Sequence, residues 1–143
     1  MPWLWVAMWG LMADVLIVED NQDLASLLAE ILRVAGHEPR EAHNGREGLD
    51  RVAEKMPSLI ILDVEMPVLT GPEMAYGLFL RNCGDEKIPI ILLSGVVGLP
   101  RIAAGVGTPY FLSKPYSVEG ILQLVERALR ERVPPRPQRE RLA

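Results

Sequence analysis

The sequence predicts an α/β fold, a parallel sheet covered by helices on both faces, and three observations predict it. Short apolar runs at Val15–Val18, Leu59–Leu62, Ile88–Leu93 and Tyr110–Leu112 have the aliphatic richness of parallel strands buried on both faces. Segments with apolar residues at three- and four-residue spacing separate them, and such alternation implies a helix-wrapped parallel sheet. Polar, chemistry-bearing residues follow the runs directly: Glu19 and Asp20, then Asp63, then Ser94, then Lys114. In open α/β sheets the working site lies beyond the carboxyl ends of the strands.

The elements follow in order. After the first strand, Leu24, Leu27, Leu28 and Ile31 form one apolar stripe of a helix, with Asn21 placed to cap it and Gly36 to end it. The short segment His37–Ala42 stands where a second strand belongs. Its Pro39 removes a ladder donor and assigns the strand to a sheet edge. A flavodoxin-like order of 2-1-3-4-5 satisfies that placement and makes the first and third strands neighbours. A second helix runs over Gly45–Lys55 with Leu49 and Val52 inward, and a third over Pro72–Asn82 with Met74, Leu78 and Phe79. Between Ser94 and Lys114 stand four glycines and two prolines, which cost a helix interior roughly 1 and 3 kcal/mol each relative to alanine. The fourth helix is therefore expected to be short or irregular. The last helix, Val118–Arg132, repeats Ile121, Leu122, Val125 and Leu129.

Three regions are expected: an apolar N-terminal appendage over residues 1–13, one globular domain over 14–132, and a flexible Pro- and Arg-bearing tail over 133–143. A chain of 143 residues buries roughly 68–70% of its unfolded surface, so the domain needs no disulfide. Its lone cysteine, Cys83, reads as a small core residue. The formal charge of -4 and pI near 5.2 argue against a nucleic-acid surface, which requires clustered Lys and Arg. The appendage carries Trp3, Trp5 and Trp9 but is too short for a bilayer span of about 20 residues. No Lys or Arg precedes Arg33, so it lacks the basic region of a signal peptide, and a cytoplasmic location is expected. The stretch reads either as a docking appendage or as an upstream start, because Met12-Ala13-Asp14 would itself open the domain. His37 and His43 read as surface residues. The tail reads as a solvated end whose Arg136, Arg139 and Arg141 are available to an acidic partner.

At the strand ends three acids, one hydroxyl and one amine converge. Two like charges 4 Å apart repel by about 4 kcal/mol at an effective dielectric near 20, so the acids require compensation. Lys114 supplies one positive charge, and an all-oxygen donor set without His or Cys suits a hard ion such as magnesium, or manganese in its place.

These residues and their surroundings resemble the receiver domain of bacterial two-component response regulators. The resemblance spans about Asp14 to Arg132. It rests on Leu16-Ile17-Val18-Glu19-Asp20-Asn21, on Leu62-Asp63-Val64-Glu65-Met66-Pro67 with Gly71 following, and on Phe111-Leu112-Ser113-Lys114-Pro115-Tyr116. It implies that Asp63 is the phosphoryl acceptor. Asp20 and Asp63 would ligate magnesium, the backbone carbonyl of Glu65 would add a ligand, and Glu19 would hold a metal-bound water. Ser94 and Lys114 would contact the phosphoryl group, and Phe111, three residues before Lys114, would be the aromatic that changes rotamer, unless it is simply a core aromatic. Glu65 and Val96 would tune loss of the phosphoryl group, with apolar Val96 favouring a long-lived phosphoprotein. The implied donor is a sensor histidine kinase or phosphotransfer protein, and the readout is an altered surface for a downstream protein. No output domain is expected within the chain, and its oligomeric state is left open between monomer and dimer.

Three other readings compete. A magnesium-dependent phosphatase of the haloacid-dehalogenase type shares the aspartate nucleophile, but wants a second aspartate where Glu65 stands and usually a cap domain. A flavin module needs a hydroxyl- or glycine-rich loop after the first strand, where this chain has Glu-Asp-Asn-Gln-Asp. An unphosphorylated scaffold would not need every one of these residue types. The expectation is thus a switch that transfers phosphoryl only to and from itself, not an enzyme.

Overall fold

A computed structural model of the chain describes residues 12–64 and 88–136. Its strands are β1 (Asp14–Val18), β2 (Glu38–Ala42), β3 (Leu59–Asp63), β4 (Ile90–Ser94) and β5 (Phe111–Ser113). The helices among the described residues are α1 (Gln22–Val34), α2 (Gly45–Glu54), α3 (Leu99–Val106) and α4 (Val118–Glu131). The sheet is parallel in the order β2-β1-β3-β4-β5, the flavodoxin-like order that Pro39 predicts. Pro39 lies on edge strand β2 opposite Val15, where its missing N–H takes nothing from a second neighbour. The helix predicted over Pro72–Asn82, together with Cys83, the N-terminal appendage before Met12 and the tail from Pro137 onward, lies outside the described residues.

Alternation along the strands divides the interior in two. Leu16, Val18, Ile60, Leu62, Ile90 and Leu92 pack with Leu49 and Val52 of α2 and with Leu99, Ala103 and Val106 of α3. Val15, Ile17, Ile61, Ile91 and Leu93 face the opposite side, toward α1 and α4. Every residue of β3 and β4 is buried, which is why those runs read as continuous aliphatic segments. Local chemistry sets the helix starts. Asn21, Asn44 and Ser117 each accept a hydrogen bond from the third residue beyond, at 3.1, 2.8 and 2.9 Å. Glu47 in turn reaches back past the cap and accepts the N–H of His43, the residue before Asn44, at 3.0 Å, a variant of the capping box. On the edge strand, Arg40 donates to Asp14 and to the carbonyls of Arg51 and Lys55, which satisfies acceptors that the end of α2 leaves over.

The helix expected to be short is α3, eight residues long. It runs between Gly98 and Gly107, both in the left-handed region at φ 85 and 79, where a Cβ is disfavoured. Among the described residues no helix is long and apolar enough to cross a membrane.

Four expectations are corrected. The buried face of α1 is Ala25, Leu28, Ala29 and Leu32, so Leu24 and Leu27 turn outward, 39% and 59% exposed. Small alanines let the helix approach the sheet closely, and the larger leucines flank the contact. The strand at Tyr110–Leu112 is not buried on both faces: β5 is the other edge, and Phe111 is 37% exposed while Tyr110 just before it is fully buried. Phe111 is therefore no core aromatic. His37 is buried rather than on the surface, because its N–H closes the end of α1 onto the Leu32 carbonyl. Burial pulls its imidazole pKa below the usual value. The described start of the tail also folds back. Val133 N–H donates to the Tyr110 hydroxyl at 3.3 Å, Pro135 is buried, and Arg136 N–H donates to the Gly107 carbonyl at 3.2 Å. The Arg136 backbone then occupies the space into which a Cβ on Gly107 would project.

Candidate phosphoryl-acceptor site

The carboxyl ends of the parallel strands bring the predicted residues together. Glu19 follows β1 and is held by its N–H on the Ala42 carbonyl at 3.0 Å. Asp63 closes β3 in register with Leu93, Ser94 closes β4, and Lys114 follows β5, its N–H donating to the Ser94 carbonyl at 3.0 Å. The peptide bond from Lys114 to Pro115 is cis.

Carboxylate oxygens of Glu19, Asp20 and Asp63 all lie within 4.8 Å of one another. Glu19 and Asp63 are buried, at 6% and 8% exposure, whereas Asp20 is open to solvent. Lys114 Nζ donates to Glu19 Oε1 at 2.7 Å and stands 3.7 Å from Asp63 Oδ2. The second Glu19 oxygen accepts from the Asp20 N–H at 3.1 Å. Burial, and then the hydrogen bond and negative charge of Asp63, push the Glu19 pKa up, against the opposing hydrogen bond and charge of Lys114. Burial pulls Lys114 down, but the Glu19 hydrogen bond and the charges of Asp63 and Glu19 outweigh it and hold the ammonium pKa above its usual value. One ammonium thus faces three carboxylates, an all-oxygen donor set with net negative charge of the kind that suits a hard divalent cation.

Among the other predicted residues, Ser94 is buried at 3% exposure, and its Oγ accepts the Val96 N–H at 3.1 Å. That bond shapes the loop that follows β4. Val96 is half-buried against the α2 and α3 side of the core. Phe111 lies on β5 opposite Leu92, away from the carboxylates along the strand, and Glu65 lies outside the described residues. The buried aromatic is Tyr110, whose hydroxyl donates to the exposed Glu131 at 3.1 Å and whose ring carries the exposed Arg127 guanidinium 5.2 Å from its centre.

Tyr116, a residue with no expected role at the site, lines a small cleft with Glu19 and Asp63. Burial raises its phenol pKa; the Lys114 charge opposes this and the charges of Glu19 and Asp63 reinforce it. Its place two residues after the lysine was the available signal.

The family model described as "Response regulator receiver domain" matches residues 15–126. The uncharacterized transcriptional regulatory protein YkoG of Bacillus subtilis is 36% identical over 119 residues, 82% of this chain and 51% of that protein. The response regulator MprA of Mycobacterium tuberculosis is 34% identical over 131 residues, 90% of this chain and 55% of its own length. The chain thus spans about half the length of these curated relatives. Among solved structures, the chemotaxis response regulator CheY4 of Vibrio cholerae superposes with a TM-score of 0.73 at 30% identity, covering 81% of this chain and 98% of that one. The receiver domain of NtrX from Brucella abortus gives 0.73 at 28% identity, covering 82% and 98%. Strand order, the acidic cluster with its lysine, and a family match across most of the chain agree, and the chain belongs to the response regulator receiver domain family.

Proposed function

We propose that this domain is a phosphorylation-dependent switch in which the carboxylate of Asp63 accepts a phosphoryl group with the help of a magnesium ion. The observation that carries the reading is the juxtaposition of Asp63 with two further carboxylates and one ammonium at the carboxyl edge of the sheet. Asp20 and Asp63 would hold the ion, Glu19 would hold a water on it, and the Glu65 carbonyl would complete the protein's share. When bound, the ion supplies positive charge that offsets the carboxylates and the phosphoryl oxygens.

The chain's own groups do the rest. The donor is a phosphohistidine on a sensor kinase or phosphotransfer protein. An Asp63 oxygen forms a bond to phosphorus as the P–N bond breaks, and the bonding pair stays on the imidazole nitrogen. An ionised carboxylate needs no general base. Lys114, already 3.7 Å from Asp63, attracts the added phosphoryl oxygens, which draws it from Glu19. Ser94 exchanges its hydrogen bond with the Val96 N–H for one to the phosphoryl group. That exchange releases the loop after β4, and movement there, with rotation of Phe111, alters the surface offered to a downstream protein. The family match over residues 15–126 lends no support to the phosphatase alternative.

The test is intact mass after incubation with magnesium and acetyl phosphate, beside Asp63→Asn. A single magnesium-dependent phosphoryl adduct, absent from the variant, is expected. A folded protein that gains no adduct, or a variant that gains it equally, overturns the assignment.

A further inference from the structure

The backbone that follows α4 is tied down at two places. Arg132 takes the left-handed conformation at φ 54, which a residue with a Cβ keeps only when its surroundings compensate, and it turns the chain toward the amino end of β5. Pro134 and Pro135 come next. Each proline restricts itself and the residue before it to extended backbone, so residues 133–135 are stiff before they make any contact. Val133 N–H donates to the Tyr110 hydroxyl at 3.3 Å. Tyr110 is a fixed post: its side chain is fully buried, its N–H donates to Thr108 Oγ1 at 3.2 Å, and Thr108 donates to the Ile90 carbonyl at 2.6 Å. Beyond buried Pro135, Arg136 N–H donates to the Gly107 carbonyl at 3.2 Å, at the end of α3. Gly107 is matched to that contact. Its φ of 79 would by itself admit asparagine, but the Arg136 backbone fills the place of any Cβ, so the close approach requires glycine.

We propose that residues 133–136 form a strap between a fixed and a movable part of the domain, and that the strap opens at Gly107 when Asp63 is phosphorylated. The fixed part is Tyr110 with α4. The movable part is α3, a helix of eight residues, about 12 Å long, with a left-handed glycine at each end, Gly98 and Gly107; such joints let it pivot as one piece. Its start joins the loop that the Ser94 bond to the Val96 N–H shapes. The inference rests on the phosphoryl-acceptor reading at this point, since phosphorylation takes Ser94 from Val96 and frees that loop. Displacement at the start of so short a helix is carried to its other end. There the strap holds α3 by one backbone hydrogen bond and by close packing on Gly107, and neither survives a shift of the helix. The path of the chain after α4 thereby follows the state of a site at the opposite end of the sheet.

The test is amide hydrogen exchange of the full chain, read residue by residue by NMR, with intact mass measured on the same samples. Without a donor, the Val133 and Arg136 amides are expected to exchange about tenfold or more slowly than in a free peptide of sequence 132–143. With magnesium and excess acetyl phosphate, Arg136 is expected to approach the peptide rate while Val133 keeps its protection, a split that general loosening of the fold does not produce. Asp63→Asn is expected to show no change on adding the donor. An Arg136 amide already at the peptide rate without donor overturns the strap. A phosphoryl adduct that leaves Arg136 protected, or that releases Val133 and Arg136 together, overturns the coupling and leaves the acceptor reading standing, as does the same loss of protection in Asp63→Asn. A folded protein that gains no adduct overturns the acceptor reading and the coupling with it.

Discussion

Replacing Asp63 by Asn should make the metal-free domain more stable, because the acceptor site is an accumulation of like charge. Asp63 carries carboxylate neighbours Glu19 and Asp20 at no more than 4.8 Å. At an effective dielectric of 20, each pair repels by about 3.5 kcal/mol or more. The Lys114 ammonium at 3.7 Å attracts with about 4.5 kcal/mol on the same scale. These two repulsions exceed this attraction by about 2.5 kcal/mol, and the hydrogen bond between Glu19 and Asp63, with screening at the solvent-exposed Asp20, reduces the difference to about 1–2 kcal/mol. Asparagine keeps the shape of the side chain and removes its charge. For a domain of this size the gain corresponds to a rise in Tm of roughly 3–8 °C. The assay is a circular-dichroism melt in EDTA, repeated with magnesium. The wild type should gain stability from the ion through linkage, by about 2.7 kcal/mol at a hundred times Kd. The variant should gain less, since it offers one charged ligand fewer. An Asp63→Asn protein that melts at or below the wild-type temperature in EDTA would show that the cluster is not under net repulsion and would refute the reasoning.

Three other outcomes follow from particular contacts. His37, buried with its pKa lowered from 6.5, binds its proton more readily in the unfolded chain. Stability should therefore be full above pH 6.5 and fall as pH drops through and below that value, and denaturant titrations of His37→Gln should lose this component of the slope. Thr108 donates to the Ile90 carbonyl at 2.6 Å and accepts from the Tyr110 N–H at 3.2 Å in a buried position; Thr108→Val leaves both groups without that partner and should cost about 2–4 kcal/mol by urea unfolding, while a loss below ~0.5 kcal/mol would contradict the burial. If half-buried Val96 shields the acyl phosphate from water, Val96→Asn should release phosphate faster from the phosphorylated protein in a phosphate-release assay, and an unchanged rate would remove that role.

Much of this architecture was legible because parallel strands and helix caps leave local marks. Buried β3 and β4 have no polar face, so their runs are continuous, and Pro39 carries its edge position in its missing donor. Asn21 and Asn44 announce helix starts through side chains that bond only a few residues away. Glu19, Asp20, Asp63, Ser94 and Lys114 were legible as a group for a related reason: a parallel sheet delivers the residue after each strand to the same edge, so chain position implies spatial convergence.

Tertiary structure decided what local pattern leaves degenerate. On α1, Leu24, Leu27 and Ile31 compete with Ala25, Ala29 and Leu32 for the inward face, and close approach of helix to sheet selected the alanines. At Tyr110 and Phe111 a one-residue difference in parity chooses which aromatic is buried, and only the register of β5 on β4 sets that parity. The sequence by itself determined the order of elements and the residues assembled at the carboxyl edge. Packing determined that Lys114 bonds Glu19 while standing beside Asp63, that His37 is enclosed, and that Leu24, Leu27 and Ile31 of α1 line an apolar groove with Tyr116 and Val118, because these depend on distances between segments far apart in the chain.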